Sequence, residues 1–174
     1  INDKLPDDIA IIESEEVSED FHARYDSKGK TYCYSIINRQ QKPAIERNYV
    51  YHFKWDLDIE KMREACKHFI GKHDFSAFTT DKSPDKSHVR TISNINISII
   101  ENTDIMRIDF TGNGFLYNMV RIIAGTLLQA GYGQFTYDDI KQAMESRIRS
   151  NAGVTLPPNA LFLTDVEYDN NFFI

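Results

Sequence analysis

Two runs of alternating apolar residues, separated by four polar ones, constrain this chain more than any other feature. Ile95, Ile97 and Ile99 alternate with polar neighbours, as do Met106, Ile108 and Phe110, and Glu101-Asn102-Thr103-Asp104 lies between the runs. A period of two belongs to a half-buried strand, so the pattern predicts a hairpin with strands at about 89–100 and 105–110. The second strand enters Thr111-Gly112-Asn113-Gly114, a two-glycine turn, and then a helix over about 115–130. One face of that helix carries Met119, Ile122, Ile123, Leu127 and Ala130, while Asn118, Arg121 and Gly125 fall on the other side. A guanidinium in a mostly apolar helix is costly to bury unless an anion meets it, so Arg121 calls for a partner. Gly125 costs about 1 kcal/mol against alanine inside a helix, and close approach of another backbone accounts for it.

The remaining pattern predicts five more elements. Residues 21–37 read as one long strand or a hairpin, with Asp26-Ser27-Lys28-Gly29 as turn residues; Arg47 to Phe53 reads as a second strand. A helix over about 57–70 carries Ile59, Met62, Cys66, Phe69 and Ile70, is capped by Asp56 or Asp58 and ends at Gly71. Another, over about 137–149, is capped by Thr136 and buries Ile140, Ala143, Met144 and Ile148. Thr79 to His88 is a polar loop without period, and a last strand runs from Leu161 to Tyr168. The predicted class is α+β, a mainly antiparallel sheet with consecutive strands paired through hairpins and helices packed on one face. Residues 1–20 read as a linker or edge segment from a preceding domain, 21–168 as the domain proper, and 169–174, with Phe172 and Phe173, as a tail.

With 174 residues the chain holds one sizeable core. It has no apolar run long enough to span a membrane and no signal peptide, and it opens on Ile1, which suggests a fragment of a longer protein. Cys33 and Cys66 lie in apolar patterns and read as small core residues of a reduced, cytoplasmic protein. The net charge of −6 hides an asymmetry: residues 1–20 hold eight acids and one lysine, whereas residues 21–54 hold seven Lys/Arg and two acids. One region can therefore attract phosphate while the total stays negative.

Several chemistries find no support. Gly112-x-Gly114 lacks the third glycine of a dinucleotide fingerprint, since Tyr117 stands there, and no alternating βαβ units surround it. The five histidines are scattered without metal-ligand spacing, and no serine sits in a nucleophile elbow. What does stand out is Phe21-His22-Ala23-Arg24-Tyr25 followed by Lys28, Lys30, Tyr32 and Tyr34, which interleaves cations with aromatic rings. That mixture suits unpaired RNA, where cations meet phosphates and flat rings stack on bases; a half-buried structural sheet gives a similar pattern.

Five ordered motifs then coincide with one family. Phe21-His22-Ala23-Arg24 with Lys30-Thr31-Tyr32-Cys33-Tyr34 resembles the "FHAR…TYxY" segment of the bacterial tRNA pseudouridine synthase A family. Gly71-x-His73-Asp74-Phe75-Ser76-x-Phe78 resembles its "GxHDFSxF", and Val89-Arg90-Thr91-Ile92 its "VRTI". Residues 112–121 are similar to "GNxFLxxMVR", and Ala160-Leu161-Phe162-Leu163 to "GLYL". The resemblance implies an enzyme without metal or cofactor. It flips a uridine of the tRNA anticodon stem-loop, at positions 38 to 40, breaks the N-glycosidic bond with an aspartate and rejoins the base through C5. That aspartate lies in a Gly-Arg-Thr-Asp-x-Gly-Val-His motif, which this chain lacks: its one Arg-Thr pair, Arg90-Thr91, is followed by Ile92.

Carried over, the resemblance makes Tyr32 the ring that stacks on the uracil, Arg121 the partner that keeps the aspartate ionised, and Leu161 a packing surface for the base. Asn118 joins the substrate-binding set. Phe21, His22, Ala23, Arg24, Tyr25, Lys28 and Lys30 become candidate RNA contacts, with Lys82, Lys86, His88 and Arg90 from the 79–90 region. Each has a blander reading as a core aromatic, a surface cation or plain packing. Two departures are Ala160 for the family's usual glycine, which narrows the pocket floor, and Cys33 for a frequent arginine, which removes a phosphate contact. The resemblance further implies a sheet continuous with an N-terminal half and a homodimeric full-length enzyme. This chain is then expected to be folded but catalytically inactive alone. The alternatives are a non-catalytic RNA-binding module that uses the same cationic, aromatic face, and an α+β interaction domain.

Overall fold

The computed structural model describes residues 1–169 apart from Lys82 and Pro84, so Lys82, Phe172 and Phe173 lie outside the described residues. Among the described residues there are six strands and three α-helices: β1 (Gly29–Asn38), β2 (Tyr51–Phe53), α1 (Ile59–Cys66), β3 (Gly71–Asp74), β4 (Val89–Ile99), β5 (Ile105–Gly112), α2 (Met119–Gly131), α3 (Tyr137–Ser146) and β6 (Leu161–Glu167). The sheet runs β2-β1-β5-β4-β3, with β6 also paired to β1. Antiparallel pairing dominates, as the α+β reading expects, but β2 runs parallel to β1.

The predicted hairpin forms as β4 and β5, closed through Asn102 in a left-handed conformation (φ 59). A bulge between Ile92 and Asn94 changes the parity of β4. Ile92 upstream and Ile95 and Ile97 downstream thus all reach the core, while Ile99 is left exposed. Tyr34 and Ile36 of β1, Phe53 of β2 and Met106, Ile108 and Phe110 of β5 complete the sheet's contribution. Over them packs α2, which is buried almost all round rather than on the one expected face: Val120, Ala124, Thr126 and Leu128 are buried as well. Gly125 behaves as its place in a helix implied. A Cβ there would stand 2.0 Å from the carbonyl oxygen of Val154.

The predicted boundaries shift at several places, each for a local reason. Residues 21–28 form turns and not a strand: the N–H groups of Tyr25 and Asp26 both donate to the His22 carbonyl. Arg47 sits in a short 3₁₀ turn (Glu46–Asn48), which leaves only 51–53 to pair. Asp58 caps α1, accepting from the Lys61 N–H at 3.0 Å, but the helix ends at Cys66. Lys67, His68 and Phe69 then tighten into i→i−3 bonds, which still bury Phe69. Gly71, at φ +111, opens a short strand the periodicity did not predict. Thr136 caps α3 in a reciprocal capping box with Asp139, and Arg147 in the left-handed region (φ 59) ends the helix, leaving Ile148 exposed instead of buried. Cys33 and Cys66 are buried free thiols; burial raises both pKa values, that of Cys66 to about 12.

Candidate active site

The end of β5 shapes the site. Gly112 lies so close to β4 that a Cβ would stand 2.6 Å from the Thr91 carbonyl oxygen, and Gly114 takes φ +156, where a side chain is strained. Asn113 pins the turn: its N–H donates to the Thr91 carbonyl at 3.0 Å and its Oδ1 accepts from the Thr91 N–H at 2.9 Å. The turn delivers Phe115 against Tyr32 of β1, ring centroids 5.3 Å apart and planes at 87°. Such edge-to-face pairs hold a ring's orientation.

Asn118, at φ 62, is the last residue before α2. Arg121 is consequently the third residue of the helix, in its first turn, where the positive end of the helix dipole already favours an anion. Its Nε donates to the Leu156 carbonyl at 2.6 Å and its Nη1 to Asn118 Oδ1 at 2.7 Å. Asn118 Nδ2 in turn donates to Thr80 Oγ1 at 2.8 Å. Two neutral acceptors thus orient the guanidinium, and among the described residues no carboxylate is ion-paired with it.

Tyr32, Phe115, Asn118, Arg121, Pro158 and Leu161 line one open cavity of about 870 Å³, together with the cations Arg24, Lys86 and Arg90. Its one carboxylate among the described residues, Asp81, is occupied: Ser83 bonds it through both hydroxyl and N–H, which lowers its pKa, and Lys86 stands 3.5 Å away. Leu161 and Tyr32 come from adjacent antiparallel strands, with Leu161 opposite Tyr34. A flat ring entering this cavity would find an aromatic wall, an aliphatic floor and a fixed guanidinium.

The other predicted contacts divide. Lys30 joins Arg24, Tyr32 and Arg90 in an adjoining basin of about 470 Å³. Phe21, Ala23 and Lys28 brace the end of β6. The Phe21 ring meets Tyr168 at 5.2 Å, the Ala23 carbonyl accepts from the Tyr168 hydroxyl at 2.7 Å, and Lys28 pairs with Asp169. His22 accepts through Nδ1 from the Arg24 N–H at 3.2 Å and packs on Tyr25. His88 does not line the cavity: its Nδ1 meets Ser76 Oγ at 3.0 Å, and its Nε2 is buried without a hydrogen-bond partner among the described residues. Asn118, expected to bind substrate, is engaged at both amide atoms by Arg121 and Thr80. Cys33 faces the opposite side of the sheet, 1% exposed, with Arg107 Nε donating to its Sγ at 3.1 Å. An arginine at that position would stand on the face of the sheet away from this cavity.

Sequence reasoning missed Phe115, Thr80 and the Leu156 carbonyl. Phe115 had a signal, since a residue straight after a two-glycine turn is aimed by it. A backbone carbonyl from a distant loop leaves none.

An open cationic cleft with an aromatic wall, cut into an α+β sheet, has the surface chemistry that suits flat, anionic ligands such as nucleotides. The comparisons are more specific. A family model described as tRNA pseudouridine synthase matches residues 65–169. The chain is 54% identical over 168 residues to tRNA pseudouridine synthase A 2 of Clostridium perfringens, covering 97% of this chain and 68% of that protein. It is 50% identical to tRNA pseudouridine synthase A of Caldicellulosiruptor saccharolyticus and 49% identical to that of Clostridium botulinum, at the same coverage. This chain belongs to the tRNA pseudouridine synthase family.

Proposed function

We propose that this chain forms one wall of the active site of a synthase that isomerises uridine to pseudouridine in the anticodon stem-loop of tRNA. The carrying observation is that Arg121 is fixed by two neutral acceptors in the same cavity as Tyr32 and has no carboxylate mate among the described residues. In this reading the flipped uracil stacks on Tyr32 and rests on Leu161. An aspartate of the Gly-Arg-Thr-Asp motif, which is not among these 174 residues, meets Arg121 and is held ionised by it. The C1′–N1 bond breaks, the base turns, C1′–C5 forms, and the C5 proton leaves as N1 gains one. The residues of this chain bind, orient and neutralise.

The rest of the reading follows from the family: no metal or cofactor, a cytoplasmic homodimer, and a sheet that continues into an N-terminal half. No helix among the described residues is long and apolar enough to cross a membrane.

Incubation with unmodified tRNA tests the reading. This chain alone should form no pseudouridine, and a polypeptide that adds the aspartate-bearing segment should form it at the anticodon stem-loop. Turnover by the chain alone, or modification elsewhere on the tRNA, refutes it. The alternative, a non-catalytic RNA-binding module, predicts RNA binding without product in both preparations.

A further inference from the structure

The Tyr32–Phe115 pair lines two neighbouring basins. One is the 870 Å³ cavity with Arg121 and Leu161; the other, about 470 Å³, is lined by Arg24, Lys30 and Arg90 with Asn113 and Gly114. Arg24 and Arg90 line both basins. No carboxylate lines the smaller basin, and none of its three cations is ion-paired among the described residues. Three like charges around one small space repel one another unless an anion joins them.

The backbone around the basin is set for that task. Arg90 Nη1 is tied to the carbonyls of Ser87 (2.9 Å) and Val89 (2.7 Å), so the side chain is anchored while its Nε lies 3.9 Å from where a Cβ on Gly114 would stand. Gly114 therefore leaves the guanidinium uncovered. Asn113 Oδ1 is spent on Thr91, so the amide oxygen lining the basin does not compete with an incoming anion.

We propose that Arg24, Lys30 and Arg90 form a single subsite for one backbone phosphate flanking the nucleotide whose base enters the larger cavity. The inference rests on the reading of that cavity as a nucleotide site. A base stacked on the cavity side of Tyr32 sends its ribose-phosphate past the Tyr32–Phe115 edge, and the shared cations Arg24 and Arg90 stand on that route. The three cations thus fix the register of the strand, and Tyr32 receives the base that register presents.

The test uses the full 174-residue chain and a short single-stranded RNA with one uridine, its affinity followed by fluorescence anisotropy against salt. One shared phosphate predicts that the variant carrying Arg24→Ala, Lys30→Ala and Arg90→Ala loses about 0.7 from the log–log salt slope, the loss for a single contact on single-stranded RNA. Three independent phosphates would lose about 2 and overturn the proposal. The second arm leaves the protein unaltered: uncharged methylphosphonates are placed singly along the RNA. One linkage beside the uridine, on its 5′ or 3′ side, should weaken binding severalfold to the unaltered chain and not to the triple variant. Equal effects at every linkage overturn the subsite alone. Failure of the unaltered chain to bind RNA at all overturns the underlying reading together with it.

Discussion

Arg121 Nη1 donates to Asn118 Oδ1 at 2.7 Å, and Asn118 holds a left-handed conformation with its amide nitrogen on Thr80. Asn118 therefore links the 79–81 segment to the guanidinium. Asn118→Ala should keep the fold but free the guanidinium, lowering kcat by roughly 100-fold through misplacement while KM changes little. Asn118→Asp should be worse: it supplies the carboxylate that the incoming aspartate ought to provide. Steady-state kinetics in a preparation that includes the aspartate-bearing segment decide this; a rise in KM with kcat intact would assign Asn118 to substrate binding instead.

The Leu156 carbonyl that holds Arg121 Nε depends on how the 153–156 segment packs on α2. Val154 lies on the backbone of Gly125, whose added Cβ would meet its oxygen at 2.0 Å. Gly125→Ala must push the 153–156 segment away and should cost about 1–3 kcal/mol in urea unfolding. It should also lower activity, because the Leu156 carbonyl moves with Val154. Gly133→Ala is the control. A Cβ there meets nothing, so only its φ of +82 is strained, costing about 1–2 kcal/mol without touching the site.

Sequence pattern made the hairpin and the capped helices legible, because each rests on local periodicity or capping chemistry; at Arg121, where an anion was expected, two neutral acceptors hold the guanidinium. The edge strand Gly71–Asp74 was not legible: Lys72, His73 and Asp74 are polar, and their pairing with β4 is made by backbone. The bulge at Ser93, which lets Ile92 share a face with Ile95, is likewise a backbone event. At the site, Tyr32, Arg121 and Leu161, distant in sequence, line one cavity. Residues 21–28 carry the same cation-and-ring signal, yet only Arg24 of them lines the cleft, because a turn closed on His22 directs the others toward the end of β6.

Asp74 gives the fold a pH dependence. Burial opposes its ionisation, but the Ser76 hydroxyl (2.5 Å) and N–H (3.0 Å), with Arg147 and His88, outweigh burial and lower its pKa. A carboxyl whose folded pKa lies below its unfolded value adds stability above the unfolded value, and that stability is lost as pH falls through the folded one. Denaturant midpoints should thus fall below about pH 4, the unfolded range for aspartate. Asp74→Asn should be less stable at neutral pH, and its gap from the unaltered chain should close as the pH drops. A constant gap would mean that Asp74 acts through packing alone.

Tyr32 separates a stacking role from a structural one. Its ring is held edge-on by Phe115 at 5.3 Å and lines both basins, so Tyr32→Phe keeps the wall and Tyr32→Ala removes it. If the ring carries an extruded base, Tyr32→Ala should weaken binding of a uridine-containing RNA by about 1–3 kcal/mol. An abasic RNA of the same length should bind both forms alike, since it has no base to stack. Tyr32→Phe should behave as the unaltered chain in both measurements. Equal weakening toward uridine and abasic RNA would show instead that Tyr32→Ala had collapsed Phe115 and the 112–115 turn, and the ring would then be a support and not a platform.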